Sequence, residues 1–590
     1  MGFFKSFLAC LLAIFIGSIV SSFFTFIMIV GIISSFSGDA EPVTVKKSSI
    51  LTIDMGREVV ETETGSFWDN VDFNSMQVKS PIVLNQMVSA IKIAATDPNI
   101  EGIYIKSSMV TGMSSDAMYH VRAELEKFKE SQKFIVAYGD GYTQGQYWLA
   151  SVADKVVAYP EGYMEWSGMS MDVMFFKEAL DKLGVKAEIF RHGKYKSAIE
   201  PYMLNAMSKE NKEQMQQLAM SMWGNVVEDV AKSRNITEEQ LQKIASQMMI
   251  ADMRDAVELN LIDTLCSRSD MQEYLAGITQ TDKPRLIDSK NYVNSYVSGT
   301  SNHNKETVAV LYAEGAIVDM GDGAEKQIVG NKLRSEIQKI AANDKIKAVV
   351  LRVNSPGGSV LASDIILNEL KKLQKKKPLV VSMGEYAASG GYYVSAYADK
   401  IFASPMTLTG SIGVFGISFN VEKGAKEILG VSVDGVQTNE NAGIGSPFRT
   451  MTPMQKAFIQ KGVDSVYVNF VELVAEGRKM KYDEVDNIAS GRVWTGKQAL
   501  ELNLVDKLGT INDAVAEAAI IADLKDYRVV RYPKVEEPDF FNMLSKAPSV
   551  MMDKLMPMSV EQAKLKTIQR IYSRKGVQAS MSYSIETNLK

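Results

Sequence analysis

The stretch KAVVLRVNSPGG (Lys347 to Gly358) reads as a buried β-strand that runs into a glycine turn. Before it come a short β-branched run, VAVLYAEG (Val308 to Gly315), and a segment of helical period, LRSEIQKIAAN (Leu333 to Asn343). After it come the helix pattern ASDIILNELKKLQKK (Ala362 to Lys376) and a second apolar run, PLVVSMG (Pro378 to Gly384). Strands alternating with helices of about 10 to 15 residues predict βαβ units and a parallel sheet.

The same pattern occurs earlier in the chain. IAATDPNIEGIYIK (Ile93 to Lys106) matches IAANDKIKAVVLRV (Ile340 to Val353), 247 positions on. YWLASVADKVVAYP (Tyr147 to Pro160) matches YYVSAYADKIFASP (Tyr392 to Pro405) at an offset of 245. EALDKLGV (Glu178 to Val185) matches KEILGV (Lys426 to Val431). Three matches in one order at nearly constant spacing indicate a duplicated unit. The seam is expected in the polar run SYVSGTSNHNKET (Ser295 to Thr307). The expected division is residues 1–46, 47–300 and 305–535, followed by a Lys- and Met-rich tail, 536–590, read as helical because it shows no strand pattern.

Composition narrows the chemistry. A chain of 590 residues is too long for one core, and 46% hydrophobic with 23% charged residues is ordinary for a folded protein. A net charge of −5 with mixed signs offers no basic field for nucleic acid. Two cysteines, Cys10 and Cys266, make neither a disulfide framework nor a multi-cysteine metal site, and no metal or cofactor is expected. Only His120, His192 and His303 are available to any histidine mechanism. No charge occurs between Lys5 and Asp39, and the apolar run there is long enough to cross a hydrocarbon layer of about 30 Å. It is too long for the apolar region of a cleaved signal peptide, so a retained membrane anchor is expected. Lys5 before the run and Asp39 and Glu41 after it place the N-terminus in the cytoplasm and the body beyond the membrane.

Two turns carry the candidate chemistry. Asn354-Ser355-Pro356-Gly357-Gly358 joins a strand to a helix, where glycine N–H groups can face an anion or oxyanion; a plain β-to-α turn accounts for a lone PGG as well. Glu385-Tyr386-Ala387-Ala388-Ser389-Gly390-Gly391-Tyr392 again follows a strand and opens a helix. Ser389 there suits a nucleophile elbow, with Ala387 in place of the first glycine, or a simple helix N-cap. Parallel strands would bring the two turns to the same carboxyl-terminal edge.

NSPGG, AASGGYY and ADKIFASPMTLTGSIGVFG together resemble the signal peptide peptidase A family of membrane-bound serine peptidases. The likeness covers nearly the whole chain, and the duplication and anchor resemble the family's long form. The resemblance implies an α/β fold of two tandem ClpP/crotonase-like domains (repeated ββα units), with an N-terminal transmembrane helix and a helical C-terminal extension. It implies a Ser/Lys dyad with Ser389 as nucleophile. The lysine motif reads Gly193-Lys194-Tyr195-Lys196-Ser197-Ala198-Ile199-Glu200-Pro201, which puts the general base at Lys196, with Lys194 as its nearest rival. Ser411 matches the position that orients the lysine, and the N–H groups of Gly358 and Gly390 would form the oxyanion hole. The implied substrates are signal peptides and other hydrophobic peptides, in a homotetramer anchored in the inner membrane and facing the periplasm.

The repeat gives a separate argument for one composite site. The first-repeat counterpart of Ser389 is Gln144, which cannot act as a nucleophile. The second-repeat counterpart of Lys196 falls near Asn441 or Ala442, and no lysine lies between Lys426 and Lys456. For lysine to take a proton from serine its pKa must fall from about 10.4 to near 7 or 8, which burial without a carboxylate partner achieves. His192 is read as a surface histidine. The rival functions are an acyl-CoA enzyme of the crotonase type, which shares the fold, and a catalytically inactive membrane scaffold.

Overall fold

The computed structural model describes residues 15–17, 45–62, 71–72, 77–78, 81–107, 112–297, 306–321, 326–534 and 578–580. Of the expected anchor segment, residues 1–46, only residues 15–17, 45 and 46 lie among them. Among the described residues no helix is long and apolar enough to cross a membrane. The centre of the expected seam, residues 298–305, also lies outside them.

In the first half, strands β1 (Ser49–Asp54), β2 (Ile100–Lys106), β3 (Phe134–Tyr142) and β4 (Lys155–Met164) alternate with helices α1 (Leu84–Thr96), α2 (Ser115–Phe128) and α3 (Gln144–Ala150). Then come β5 (Lys186–His192), the 26-residue α4 (Lys209–Arg234), β6 (Thr264–Leu265) and β7 (Arg285–Asp288). A wholly parallel sheet runs β6-β4-β3-β2-β1-β7. Its central strands β1, β2 and β3 are buried along most of their length, as a sheet covered by crossover helices requires. Met87, Ile91 and Ala94 form the buried stripe by which α1 packs.

The second half repeats this order. It comprises β8 (Glu306–Glu314), β9 (Ala316–Val318), β10 (Gln327–Val329), α5 (Gly330–Ala342), β11 (Ile346–Ser355), β12 (Gly357–Ser359), α6 (Val360–Gln374), β13 (Leu379–Ala388), α7 (Gly390–Ser395), β14 (Lys400–Ala403), β15 (Leu408–Gly410), β16 (Val414–Asn420), the 26-residue α8 (Pro453–Arg478), β17 (Val493–Thr495), β18 (Lys507–Leu508), α9 (Ile511–Ile521) and β19 (Tyr527–Tyr532). The main sheet runs β17-β15-β13-β11-β8-β19, with β14 on β13 and β18 on β14. Its core β13-β11-β8-β19 has the order of β3-β2-β1-β7. The long helices α4 and α8 correspond as well: each starts from a side-chain cap, Ser208 or Thr452, and each ends on a left-handed residue, Asn235 or Lys479.

A third sheet joins the halves. It runs β10-β9-β12-β20-β16-β5, where β20 is Gln578–Ser580. β5 leaves the first half to pair antiparallel with β16 over seven residues, from Val414 opposite His192 to Asn420 opposite Lys186. β20 is a strand where the sequence reading expects helix; three residues can join a sheet through backbone pairing with no apolar alternation to announce them. The rest of the expected helical tail, from residue 536, lies outside the described residues.

The halves also share their interior. The core around β1–β4 takes in Ala388, Met406, Leu408 and Val493 from the second half. Arg352 on β11, 1% exposed, reaches across to Glu61 and Asp116 of the first half and bonds the Ser382 hydroxyl and Met383 carbonyl on β13. Burial pushes the Asp116 carboxyl up, but the charge of Arg352, the largest opposing influence, holds it below the usual carboxylate range. His120 Nε2 accepts the Ile511 N–H that starts α9.

Candidate active site

The parallel order of β11, β13 and β15 brings three loops to one edge of the sheet. β11 leads into Pro356 and β12, β13 ends at Ala388, and β15 ends at Gly410. Ser389 has φ 56° and ψ −112°, a strained conformation for a residue with a Cβ, of the kind a nucleophile elbow uses. Its N–H donates to the Gly410 carbonyl at 2.8 Å. Its side chain makes no cap to α7, so the N-cap alternative does not describe it.

Lys196 arrives from the other half. β5 runs beside β16 as far as His192, Gly193 turns with φ 101°, and the Tyr195 N–H donates to the Ser490 carbonyl at 3.0 Å. Lys196 Nζ then lies 2.8 Å from Ser389 Oγ, 3.0 Å from Ser411 Oγ and 3.1 Å from the Ser411 carbonyl. The structure thus brings Lys196, Ser389 and Ser411 together, all three buried. Burial pushes the Lys196 amine down to about 7, and burial is the whole of the cause. Such an amine is half neutral near pH 7 and can accept a hydroxyl proton.

Gly390 opens α7 directly after Ser389. Gly358 lies in β12 with φ 157°; a Cβ there would meet the Ile317 carbonyl oxygen at 2.0 Å, so only glycine fits. Gly391 packs on the Ser355 carbonyl, which holds the two glycine turns against each other.

The rivals stand apart from this cluster. Lys194 is exposed, with its ammonium 5.2 Å from the Tyr195 ring centre. His192 does have a carboxylate partner, which its sequence neighbours could not reveal: Nδ1 lies 2.8 Å from Asp464 Oδ1 on α8, and the ring stacks on Tyr467 at 3.9 Å. Gln144, the counterpart of Ser389, is fully buried. It donates to the Gly168 carbonyl and accepts from the N–H groups of Ser167 and Gly168, so in the first half this position is a structural brace. Asn441 and Ala442 lie in an exposed stretch.

One part of the cluster has no counterpart in the sequence reading. Ser490-Gly491-Arg492 wedges between the lysine and the serine loop. The Ser411 N–H donates to the Arg492 carbonyl at 2.7 Å and the Gly491 N–H to the Ile412 carbonyl at 2.8 Å. Gly491 has φ 81°, and a Cβ there would lie 2.6 Å from Lys196 Cβ. Gly413 packs directly on Gly491, and a Cβ on it would meet Gly491 Cα at 2.7 Å and Lys196 Cδ at 3.5 Å. The lysine stem therefore runs along a pair of packed glycines. The Arg492 guanidinium stacks between Tyr195 (4.6 Å) and Trp494 (4.4 Å). The only hint in sequence is a glycine ahead of a short strand, which reads as an ordinary turn.

Comparison with known proteins agrees with this architecture. The model of peptidase family S49 matches residues 127–280 and again 371–525, and the model of Clp protease matches residues 299–434. Protease 4 of Haemophilus influenzae is 34% identical over 526 residues, covering 86% of this chain and 85% of its own length. Protease 4 of Salmonella typhi is 37% identical over 491 residues, covering 81% and 78%. A protein of Enterococcus faecium with the provisional name signal peptide peptidase SppA is 34% identical over 278 residues, covering 46% of this chain and 80% of its own length.

Proposed function

The chain belongs to peptidase family S49, a serine peptidase with a duplicated ClpP-like α/β fold, and we propose that it cuts signal peptides and similar hydrophobic peptides with a Ser389/Lys196 dyad. The observation that carries this reading is the 2.8 Å separation of Lys196 Nζ and Ser389 Oγ in a site where burial alone sets the amine near 7.

In the proposed reaction neutral Lys196 takes the Ser389 proton as Oγ attacks the scissile carbonyl. Ser411 holds the amine on its line to Oγ. The N–H groups of Gly358 and Gly390 receive the oxyanion. The ammonium then protonates the leaving amine, and water, deprotonated by the same lysine, hydrolyses the acyl-enzyme. Each half supplies one member of the dyad, in keeping with Gln144 in the serine position of the first half and Asn441 or Ala442 near the lysine position of the second. Residues 1–46 are proposed as a retained anchor of the inner membrane, with the catalytic body on the periplasmic side, and the assembly as a homotetramer.

The test is labelling with a fluorophosphonate probe alongside hydrolysis of a hydrophobic peptide. Wild type should be labelled at Ser389, whereas Ser389→Ala and Lys196→Ala should be neither labelled nor active while remaining folded. Full activity in Lys196→Ala with Lys194→Ala inactive would move the base to Lys194. For the anchor, the full chain should stay with membranes after alkaline carbonate washing and a chain starting at Val45 should not.

A further inference from the structure

The two halves break register at the same place, Ser49/Ile50 between β1 and β2 and Thr307/Val308 between β8 and β11, so their sheets match residue by residue. On one face of the first sheet, β7, β1 and β2 set Asp288, Thr52 and Tyr104 side by side. Two residues further on, Asp54 lies opposite Lys106. The matching pairs in the second half are Val310 with Val350 and Tyr312 with Arg352. There the face is closed. Val310 and Val350 are buried with Ala514, Val515 and Ala518 of α9, and Arg352 is held by Glu61 and Asp116.

In the first half the same face is open. The helix Met271–Thr279 follows β6 as α9 follows β18, and its Met271 and Leu275 pack with Ile50 and Tyr104. Beside it the carboxyl ends of β1, β2 and β7 line a cleft of about 600 Å³, a size common for small-ligand sites. Thr52 has the shape of the valine it matches, yet its Oγ1 is buried with no hydrogen-bond partner among the described residues. Ser289, 1% exposed, lines the same cleft, and its Oγ is likewise buried without a partner. Such a hydroxyl costs stability that an apolar side chain would spare, and a ligand that bonds both accounts for two of them in one cleft.

The charges narrow the ligand. Arg57 and Arg268 already face carboxylates, Asp288 at 4.0 Å and Asp140, and Asp288 also caps the next helix at the Lys290 N–H. Asp54 and Lys106 are uncommitted. Both line the cleft, and they make no ion pair with each other. Among the described residues Lys106 has no partner, and the Asp54 carboxylate accepts one bond, from the Gly56 N–H. Leu275 and Leu286 supply an apolar wall. One molecule that carries an ammonium, a carboxylate and a hydrocarbon group satisfies all of these at once.

We propose that this cleft binds the zwitterion of an apolar amino acid or short peptide, with its ammonium at Asp54, its carboxylate at Lys106 and its side chain against Leu275 and Leu286. None of these residues belongs to the Ser389 cluster, and the inference holds whether or not Ser389 is the nucleophile.

Isothermal titration of the full chain in detergent tests it with L-leucine, the dipeptide Leu-Leu, and N-acetyl-leucine amide, which lacks both charges. At least one of the two zwitterions should bind, the blocked compound should not, and the tighter zwitterion shows whether the site is sized for a free amino acid or a peptide. Lys106→Met should weaken binding by about tenfold or more, the loss of one charge-assisted bond. Thr52→Val installs the residue that the second half uses, so it should weaken binding while raising Tm. Ser389→Ala should bind like wild type. No binding of either zwitterion, equal binding of the blocked compound, or unchanged affinity in both cleft variants would overturn the site. Binding lost in Ser389→Ala and kept in Lys106→Met would overturn it as well, by placing the ligand at the serine.

Discussion

Lys196 Nζ and Ser389 Oγ lie 2.8 Å apart although 193 positions separate them in the chain. The lysine enters on a strand of the first half and the serine on a strand of the second, and burial alone sets the charge of the amine.

That relationship fixes the form of the pH dependence. The proposed base works as the neutral amine, so activity should rise with pH through about 7, the value to which burial brings Lys196, and fall away below it. Ser411→Ala removes one hydrogen bond to the amine and should cost roughly 1.5–3 kcal/mol, or about 10- to 150-fold in kcat. His192→Gln should leave the acidic limb in place. A limb that disappears in His192→Gln would make the histidine, paired with Asp464, the base.

The same burial works against stability. Between about 7 and 10.5 the unfolded chain carries the Lys196 proton and the folded chain does not, so this residue's contribution to stability rises with pH across that window. Below about 7 the penalty is at its largest, on the order of 5 kcal/mol. Lys196→Met should therefore raise Tm at pH 6, with a gain that shrinks toward pH 10. Thermal unfolding at several pH values measures it, and a gain independent of pH would show that the amine is not desolvated.

Gly491 should be intolerant of any side chain. Its φ of 81° and the 2.6 Å approach of an added Cβ to Lys196 mean that Gly491→Ala both strains the backbone, by about 1–3 kcal/mol, and pushes the lysine off its line. Fluorophosphonate labelling of Ser389 should fall sharply while the fold survives. Gly462 within α8 has nothing within 4 Å of an added Cβ, so Gly462→Ala is the matched control and should label normally. Equal labelling of the two variants would remove the wedge from the catalytic argument.

Arg352 ties the first half to β11 and β13 of the second. Arg352→Met leaves the buried Asp116 and the partly buried Glu61 without their cation and should destabilise the chain by roughly 3–5 kcal/mol in urea unfolding. Adding Asp116→Asn should recover part of the loss, since it removes one of the stranded charges. A double variant no more stable than Arg352→Met would show that the loss comes from packing.

Much of the fold was legible because its signals are local. Strand-helix alternation, the two glycine turns and the internal repeat are patterns of near neighbours, set by backbone geometry and by which faces must be buried. Ser389 could be singled out at a turn after a strand, and Lys196 and Ser411 only within motifs similar to a known family. The strand at Gln578–Ser580 was not legible, because a three-residue strand held by backbone pairing leaves no periodicity in the sequence. Nor was the wedge at Ser490–Arg492, whose glycine matters through what lies beside it.

By itself, then, the sequence determined a duplicated α/β chain, poor in histidine, with a serine turn in one copy and a lysine motif in the other. Only the tertiary structure decided that β5 crosses to the second half, that the lysine stem runs along the packed pair Gly413 and Gly491, and that its amine meets two serine hydroxyls out of water. The reason is physical. Local pattern records what each segment needs to bury, whereas proximity and proton affinity depend on which segments bury one another, and that is settled only when the whole chain packs.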